Sequence, residues 1–313
     1  MARRAAAFVL VLALPLLAGC TGPAQGPQPD VVATFYPLGW MAQRIAGEDL
    51  VVSTLVPSGV EPHDWEPTPR EVERTSRAKV LVYNGAGLEP WVTSLLREVV
   101  AKGGRGIEAT RGLDLHAAEA HGDGHEEDGE DHAAEAGEAV DPHAWIDPVL
   151  AQAMVANLLE GLQAADPANA EAHAQRAAQL TANLQDLDRR YREGLADCAR
   201  QDILTTHAAF GYLADRYGFR QHGISGLSPE AEPTPAALQE AVQLARRLNL
   251  SHIFFETLVS PRVAQTIARE AGAQTLVLNP LEGLTPEEQA AGLDYLDLAA
   301  QNLANLRLAL GCA

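Results

Sequence analysis

Short apolar runs alternate with amphipathic ones along most of this chain. VVATFYP and VVSTLVPSG read as strands, and LGWMAQRIAGE between them reads as a helix. TPREVERTSRA opens on Thr68 with Pro69 and Glu71 behind it, the residue types that start a helix. KVLVYNG is a short buried strand, and EPWVTSLLREVVAKG a helix stopped by glycine. The pattern returns in the second half, where DILTTH, FRQHGIS, HIFFET and AQTLVLNPL read as strands. AAFGYLADRYG, TPAALQEAVQLARRLNL and SPRVAQTIAREAG are the helices between them, and TPEEQAAGLDYLDLAAQNLANLRLALG reads as one terminal helix. Strands that alternate with helices imply parallel sheets.

Two segments break this rhythm. Residues 166–198 are rich in Ala, Leu, Gln and Arg, with Gly194 their one glycine. A helix of some thirty residues would run roughly 45 Å, more than one domain needs for itself. It reads as a connector between two domains, or else as two shorter helices with a kink. The expected fold is therefore α/β: two α/β lobes with parallel-type sheets, 30–165 and 199–313, joined by one long rigid helix. The second break is a His/Asp/Glu-rich loop over 114–141, with almost nothing apolar to bury.

At 313 residues and 47% hydrophobic, the chain can build the cores of two domains. A formal charge of −19 argues against nucleic-acid binding. MARRAAAFVLVLALPLLAGC carries two arginines and then an apolar run too short for a spanning helix, so residues 1–20 read as a targeting segment. Its ending LLAGC resembles a bacterial lipobox, which implies cleavage before Cys20 and acylation of its thiol. Residues 21–29 form a Gly/Pro/Gln tether. An extracytoplasmic location makes Cys198 and Cys312 a candidate disulfide, the alternative being two buried thiols.

The candidate chemistry is metal binding. His-rich tracts suggest it, yet a loose acidic loop is a poor holder of one geometry. Three other histidines stand in firmer sequence at the expected strand ends: His63 after TLVPSGVEP, His143 in DPHAWIDP and His207 closing DILTTH. Ligands of open α/β sheets bind outside the carboxyl ends of strands, so these imidazoles fall at the edges where two lobes would face each other. His173 reads as a solvent-facing residue of the connecting helix, and His222 and His252 as structural residues flanking strands.

TFYPLGWMAQRIAGE, VPSGVEPHDWEPTPRE, DPHAWIDP, TTHAAFGYLADRYGF, ISGLSPEAEPTP and LNPLEGL together resemble the motif series of the zinc/manganese solute-binding proteins of ABC transporters. These are the cluster A-I or family 9 type, and the similarity is strongest to the zinc-binding ZnuA/AdcA group. The resemblance spans the chain beyond its leader. It implies a metal site between the lobes with His63, His143 and His207 as ligands, and a function in capturing Zn(II) outside the membrane for an ABC permease. Manganese and iron members carry a carboxylate at the third position, whereas three nitrogens and one oxygen suit tetrahedral Zn²⁺. The fourth ligand is Glu282 or water; Asn279 offers a neutral amide, a poor zinc ligand. Asp147 and Glu256 are candidate hydrogen-bond partners of the ligand imidazoles. The resemblance also makes the loop an accessory collector of metal through His116, His121, His125 and His132.

Three other readings compete. A manganese receptor is disfavoured by His207. A metal-stapled adhesin of the same fold would hold its ion permanently. A zinc hydrolase lacks an H-E-x-x-H helix, and with Glu282 as a ligand it would have no open coordination position. The chain is expected to be no enzyme and to act as a monomer.

Overall fold

A computed structural model of the protein describes residues 28–117, 140–229 and 233–313. The targeting segment with Cys20, most of the tether, and His121, His125 and His132 lie outside the described residues.

The first lobe is a parallel sheet with its connecting helices. Strands β1 (Val31–Ala33), β2 (Val52–Thr54), β3 (Val80–Tyr83) and β4 (Arg105–Glu108) stand in the order β2-β1-β3-β4. Helices α1 (Tyr36–Ala46), α2 (Pro69–Thr75) and α3 (Val92–Ala101) join them in turn. β1 is buried along its length, as its unbroken apolar sequence requires of a central parallel strand. α2 starts with a capping box in which Thr68 and Glu71 satisfy each other's backbone N–H. Gly39 lets α1 lie on β2, since a Cβ there would stand 2.2 Å from the Thr54 hydroxyl. β4 was not anticipated, because Ile107 is its one buried residue and no alternation marks it. A 3₁₀ turn (Ala144–Ile146) and α4 (Pro148–Ala165) complete the lobe.

The second lobe holds two parallel pairs, β5 (Asp202–Thr205) with β6 (Arg220–Gly223) and β7 (His252–Phe255) with β8 (Gln274–Val277). Its helices are α6 (Gly211–Tyr217), α7 (Pro235–Arg247), α8 (Arg262–Ala271), α9 (Pro286–Ala290) and α10 (Tyr295–Leu310). The expected single terminal helix is thus two. Gly292 turns the chain at φ 72°, and Asp294 caps α10 with Asp297 in a capping box.

Between the lobes runs α5 (Ala170–Gly194), whose 25 residues form one continuous helix roughly 37 Å long. It packs on α1 and α4 of the first lobe and on α10 of the second. Its buried face is His173, Ala177, Leu180, Leu184, Leu187 and Tyr191, a stripe of alternating four- and three-residue steps. His173 is therefore not solvent-facing, as the sequence suggested. It begins that stripe, fully buried, with Nε2 at 3.6 Å from Asp166 and 3.8 Å from Asp49.

One hydrophobic core passes through both lobes, from Val31 and Phe35 through Trp145 to Ile203, Phe210 and Tyr295. Trp145 is fully buried where the lobes meet; its indole N–H donates to Pro280 O at 2.8 Å, and the Tyr295 hydroxyl donates to the Trp145 carbonyl. Among the described residues no helix is long and apolar enough to cross a membrane.

Cys198 and Cys312 form a disulfide across 114 positions, fastening the end of α10 beside the entry to β5. Arg200 N donates to Leu310 O at 2.9 Å alongside it. Closing so long a loop restricts the unfolded chain, so Cys312→Ser should lower unfolding free energy by about 3 kcal/mol, measured in guanidinium. Metal affinity should stay at the wild-type value, since Cys198 stands before β5 and His207 beyond it, at opposite ends of that strand.

Candidate metal centre

His63, His143, His207 and Glu282 come together, each offering one donor atom, with all four atoms within 4.8 Å of one another. His63 lies on the loop between β2 and α2, and His207 two residues beyond β5. His143 does not end a strand as expected; it is the N-cap of the 3₁₀ turn that leads into α4. Glu282 follows β8 in a tight turn. His143 and His207 are fully buried, Glu282 is 1% exposed, and the His63 side chain keeps 10%.

The spacing of the donors is specific. His143 Nε2 stands 3.3 Å from His63 Nε2 and 3.4 Å from His207 Nε2. Glu282 Oε1 is 3.4 Å from the Nε2 of His63 and of His143, and 3.8 Å from that of His207. Ligands bound at zinc's usual distances form a tetrahedron with edges of about 3.3 Å. Five of the six donor separations lie near that value and the sixth, His63 to His207, is within 4.8 Å, so three imidazoles and a carboxylate oxygen leave room for one ion at their centre.

Carboxylates behind the imidazoles set which nitrogen faces that centre. Asp141 Oδ1 accepts from the His143 backbone N–H at 3.0 Å and lies 2.7 Å from Nδ1. Glu256 Oε2 lies 2.8 Å from His207 Nδ1, a contact not aligned as a hydrogen bond, while its other oxygen accepts from the Thr206 hydroxyl. The Asp141 carboxylate at Nδ1 of His143 holds the proton there and leaves the Nε2 lone pair for metal. Asp147 does not do this. It caps α4 by accepting from Val149 N at 2.7 Å and pairs with Arg216. The Asp-Pro step before α4 is the sequence signal of that cap, whereas nothing along the chain marks Asp141, two residues before His143, as its partner.

Asn279 is no ligand, but it shapes the turn that presents Glu282. Its Oδ1 accepts from Leu281 N at 2.8 Å, and Leu281 takes φ 62°, a left-handed conformation that a leucine adopts only under such support. The Glu282 turn is clasped to the His63 loop from across the lobes: Ser58 Oγ and Gly59 N both donate to Leu284 O, at 2.7 and 2.8 Å. Glu61 braces the same loop, with Oε2 accepting from His63 N at 2.9 Å.

Charge in this buried cluster is strongly coupled. Burial works to lower the His143 pKa, but hydrogen bonding to Asp141 and then Glu282, with the charges of both, outweighs it and pushes the pKa up to about 9. Burial likewise works to raise Glu282; hydrogen bonds from His143 and His63, with the charges of His63 and His207, hold it well below the usual carboxylate range.

The remaining candidates stand apart. His116 stacks on Tyr212 with ring centres 4.2 Å apart, its Nε2 3.5 Å from Asp215. His222 Nε2 lies 3.0 Å from Asp202, and His252 Nδ1 3.0 Å from the Ser251 hydroxyl. Replacing Asp141 with Asn should weaken zinc binding by about tenfold or more, measured against a competing chelator. Asp147→Asn should lower thermal stability and leave that affinity unchanged.

Known proteins resemble this chain over most of its length. A family model described as "Zinc-uptake complex component A periplasmic" matches residues 31–309. The high-affinity zinc uptake system protein ZnuA of Bacillus subtilis is 39% identical over 96% of this chain and 95% of its own. The zinc-binding lipoprotein AdcA of Streptococcus pneumoniae is 38% identical over 89% of this chain, which spans 55% of that longer protein. The Zn(II)-bound ZnuA-like domain of that AdcA superimposes with a TM-score of 0.76 at 35% identity, covering 91% of this chain and 99% of the domain. With its fold matched across both lobes and its sequence matched over nearly all of the described length, the chain belongs to the ZnuA family of zinc-uptake components.

Proposed function

We propose that the chain is an extracytoplasmic Zn(II)-binding receptor that captures zinc and delivers it to an ABC permease for import. His63, His143, His207 and Glu282 are the zinc ligands in this reading. The observation that carries it is the set of donor separations, five of them 3.3–3.8 Å and the sixth, between His63 and His207, within 4.8 Å, which surround one ion as a somewhat open tetrahedron. Three nitrogens and one oxygen favour zinc over manganese, which takes more oxygen ligands. All four coordination positions are filled by protein, which leaves none for a substrate and argues for a receptor and against a hydrolase. The names of the matched relatives, a zinc uptake protein and a zinc-binding lipoprotein, support the same function.

The finer organisation follows the sequence reading. Residues 1–20 are a lipoprotein signal peptide, Cys20 carries the lipid anchor to the membrane, and 21–29 tether the binding domain. The lobes are 30–165 and 199–313 with the connector 166–198 between them, and the protein acts as a monomer. The loop histidines His116, His121, His125 and His132 collect zinc weakly beside the site. In support, the bridge between Ala117 and Val140 brings the two ends of the loop together next to Asp141.

Zinc competes with a proton at this centre. A His143 pKa of about 9 means that the metal-free protein holds that imidazole protonated at neutral pH. Because the folded value lies above the ordinary one of about 6.5, the proton stabilises the metal-free fold fully below that value. Its contribution disappears as pH rises through about 9. Zinc binding at pH 7 should therefore release about one proton from His143, seen as a dependence of the calorimetric heat on buffer ionisation. Apparent affinity should rise by up to about tenfold per pH unit and flatten near pH 9. An affinity that is level from pH 6 to 9 would contradict the shifted imidazole.

A deletion separates the site from the loop. Removing residues 118–139 and joining the bridged ends through two glycines should leave one tight zinc site that Mn²⁺ does not displace. Weaker binding events should vanish. Loss of the tight site on deletion would make the loop the binding element and sink the four-ligand assignment.

A further inference from the structure

The first lobe contains a buried carboxylate that the metal centre does not use. Glu89 is 6% exposed, and its hydrogen-bond partners are all neutral. Oε1 accepts from the Thr34 hydroxyl at 2.7 Å and from Asn84 N at 2.8 Å; Oε2 accepts from Gly85 N at 3.3 Å. Thr34 and Asn84 directly follow β1 and β3, so one carboxylate ties together the carboxyl ends of the two central strands. Burial without a countercharge pushes its pKa up to about 7 despite these hydrogen bonds. Such a group is costly to keep in a core, and a purely structural tie between strand ends needs no ionisable residue.

What it holds is Asn84. That side chain is fully buried; its Oδ1 has no hydrogen-bond partner among the described residues, while its Nδ2 donates to Pro142 O at 3.0 Å. Pro142 O belongs to the peptide group whose nitrogen is that of His143. The oxygen end of this peptide is thus held by Asn84, and its N–H by Asp141 at 3.0 Å. The plane from which the His143 imidazole projects is gripped from both sides. Thr110 fixes Asn84 further, its hydroxyl donating to Asn84 O at 2.6 Å.

We propose that Glu89 is a positioning residue for zinc binding: it orients Asn84, which holds the Pro142 carbonyl and so places His143 Nε2 at the tetrahedral corner. The proposal rests on the zinc-ligand reading above and adds a determinant outside the ligand set and its contacting carboxylates. It acts through backbone placement and needs no change in the other three donors.

The test uses Glu89→Gln, Asn84→Ala, the double variant, and Val99→Ala as a control. Val99 is a fully buried residue of α3 in a separate apolar cluster with Val32, Leu81 and Leu95. Unfolding in denaturant reports the stability each variant loses; chelator competition reports zinc affinity, and the visible spectrum of the Co²⁺ form reports ligand geometry. Glu89→Gln and Asn84→Ala should each weaken zinc by about tenfold and shift the Co²⁺ bands, with the double variant no weaker than Asn84→Ala. Val99→Ala should lose stability and keep wild-type affinity and spectrum. Should Glu89→Gln fail to fold, Asn84→Ala decides alone, because it leaves the carboxylate in place and cuts only the link. Wild-type affinity and spectrum in Asn84→Ala, or losses that add in the double variant, would overturn the proposal. A wild-type protein that binds no zinc would overturn the ligand reading itself, and with it this one.

Discussion

The hydrogen bond from the Trp145 indole to the carbonyl of Pro280 is the joint on which the site depends. Trp145 is fully buried, stacked edge-on against Phe35, with Tyr295 donating to its carbonyl. Burying a side chain of this size is worth on the order of 5 kcal/mol, and its N–H must find an acceptor inside the core. The one it finds lies on the other lobe. His143 is two residues before Trp145 and Glu282 two residues after Pro280, so the joint that fastens the lobes also sets the distance between a nitrogen and an oxygen donor. Register at the metal centre is inherited from packing a few ångströms away.

This explains how a carboxylate 1% exposed is tolerated beside three imidazoles. An isolated buried charge would be expelled or neutralised. Glu282 keeps its charge because a positive partner is present in either state of the cycle, a proton shared into the cluster through His143 or a divalent ion at the centre. Asp141 and Glu256, at the far nitrogens of His143 and His207, add negative potential without reaching the centre of the four donors. The centre is thus built to hold two or more positive charges and is poorly stabilised with none.

Much of this could be read along the chain. Alternating apolar and amphipathic runs mark the strands and helices because parallel βα units bury strands on both faces. The long connector was legible from composition, and the structure forms it as one helix. The misplaced features share a cause: each depends on a residue's partner across the fold. His173 looks polar until the four- and three-residue stripe of α5 is counted past it to Tyr191. Asp147 and Asp141 flank the same ligand, and only the Pro148 that follows one of them marks it as a helix cap. Asn279 resembles a failed ligand by composition, yet it supports the left-handed Leu281 that aims Glu282. Which donors converge was not readable from periodicity, since the four lie on separate segments up to 219 positions apart; it entered through the resemblance of their motifs.

The same joint decides how an ion can come and go. A core continuous through both lobes, with α5 packed along each, opposes a wide hinge, because separation would expose Trp145, Phe210 and Tyr295 together. Motion is cheaper where burial is thin. Of the four donors only His63 has appreciable exposure, and the hydrogen bonds that fasten its loop to the second lobe include those of Ser58 and Gly59 to Leu284. Breaking two hydrogen bonds at a partly hydrated edge costs far less than parting the core. With the four donors as the zinc ligands proposed above, the path for the ion runs past His63, while His143 and His207 stay on their rigid supports and Glu282 on the turn to which the His63 loop is clasped.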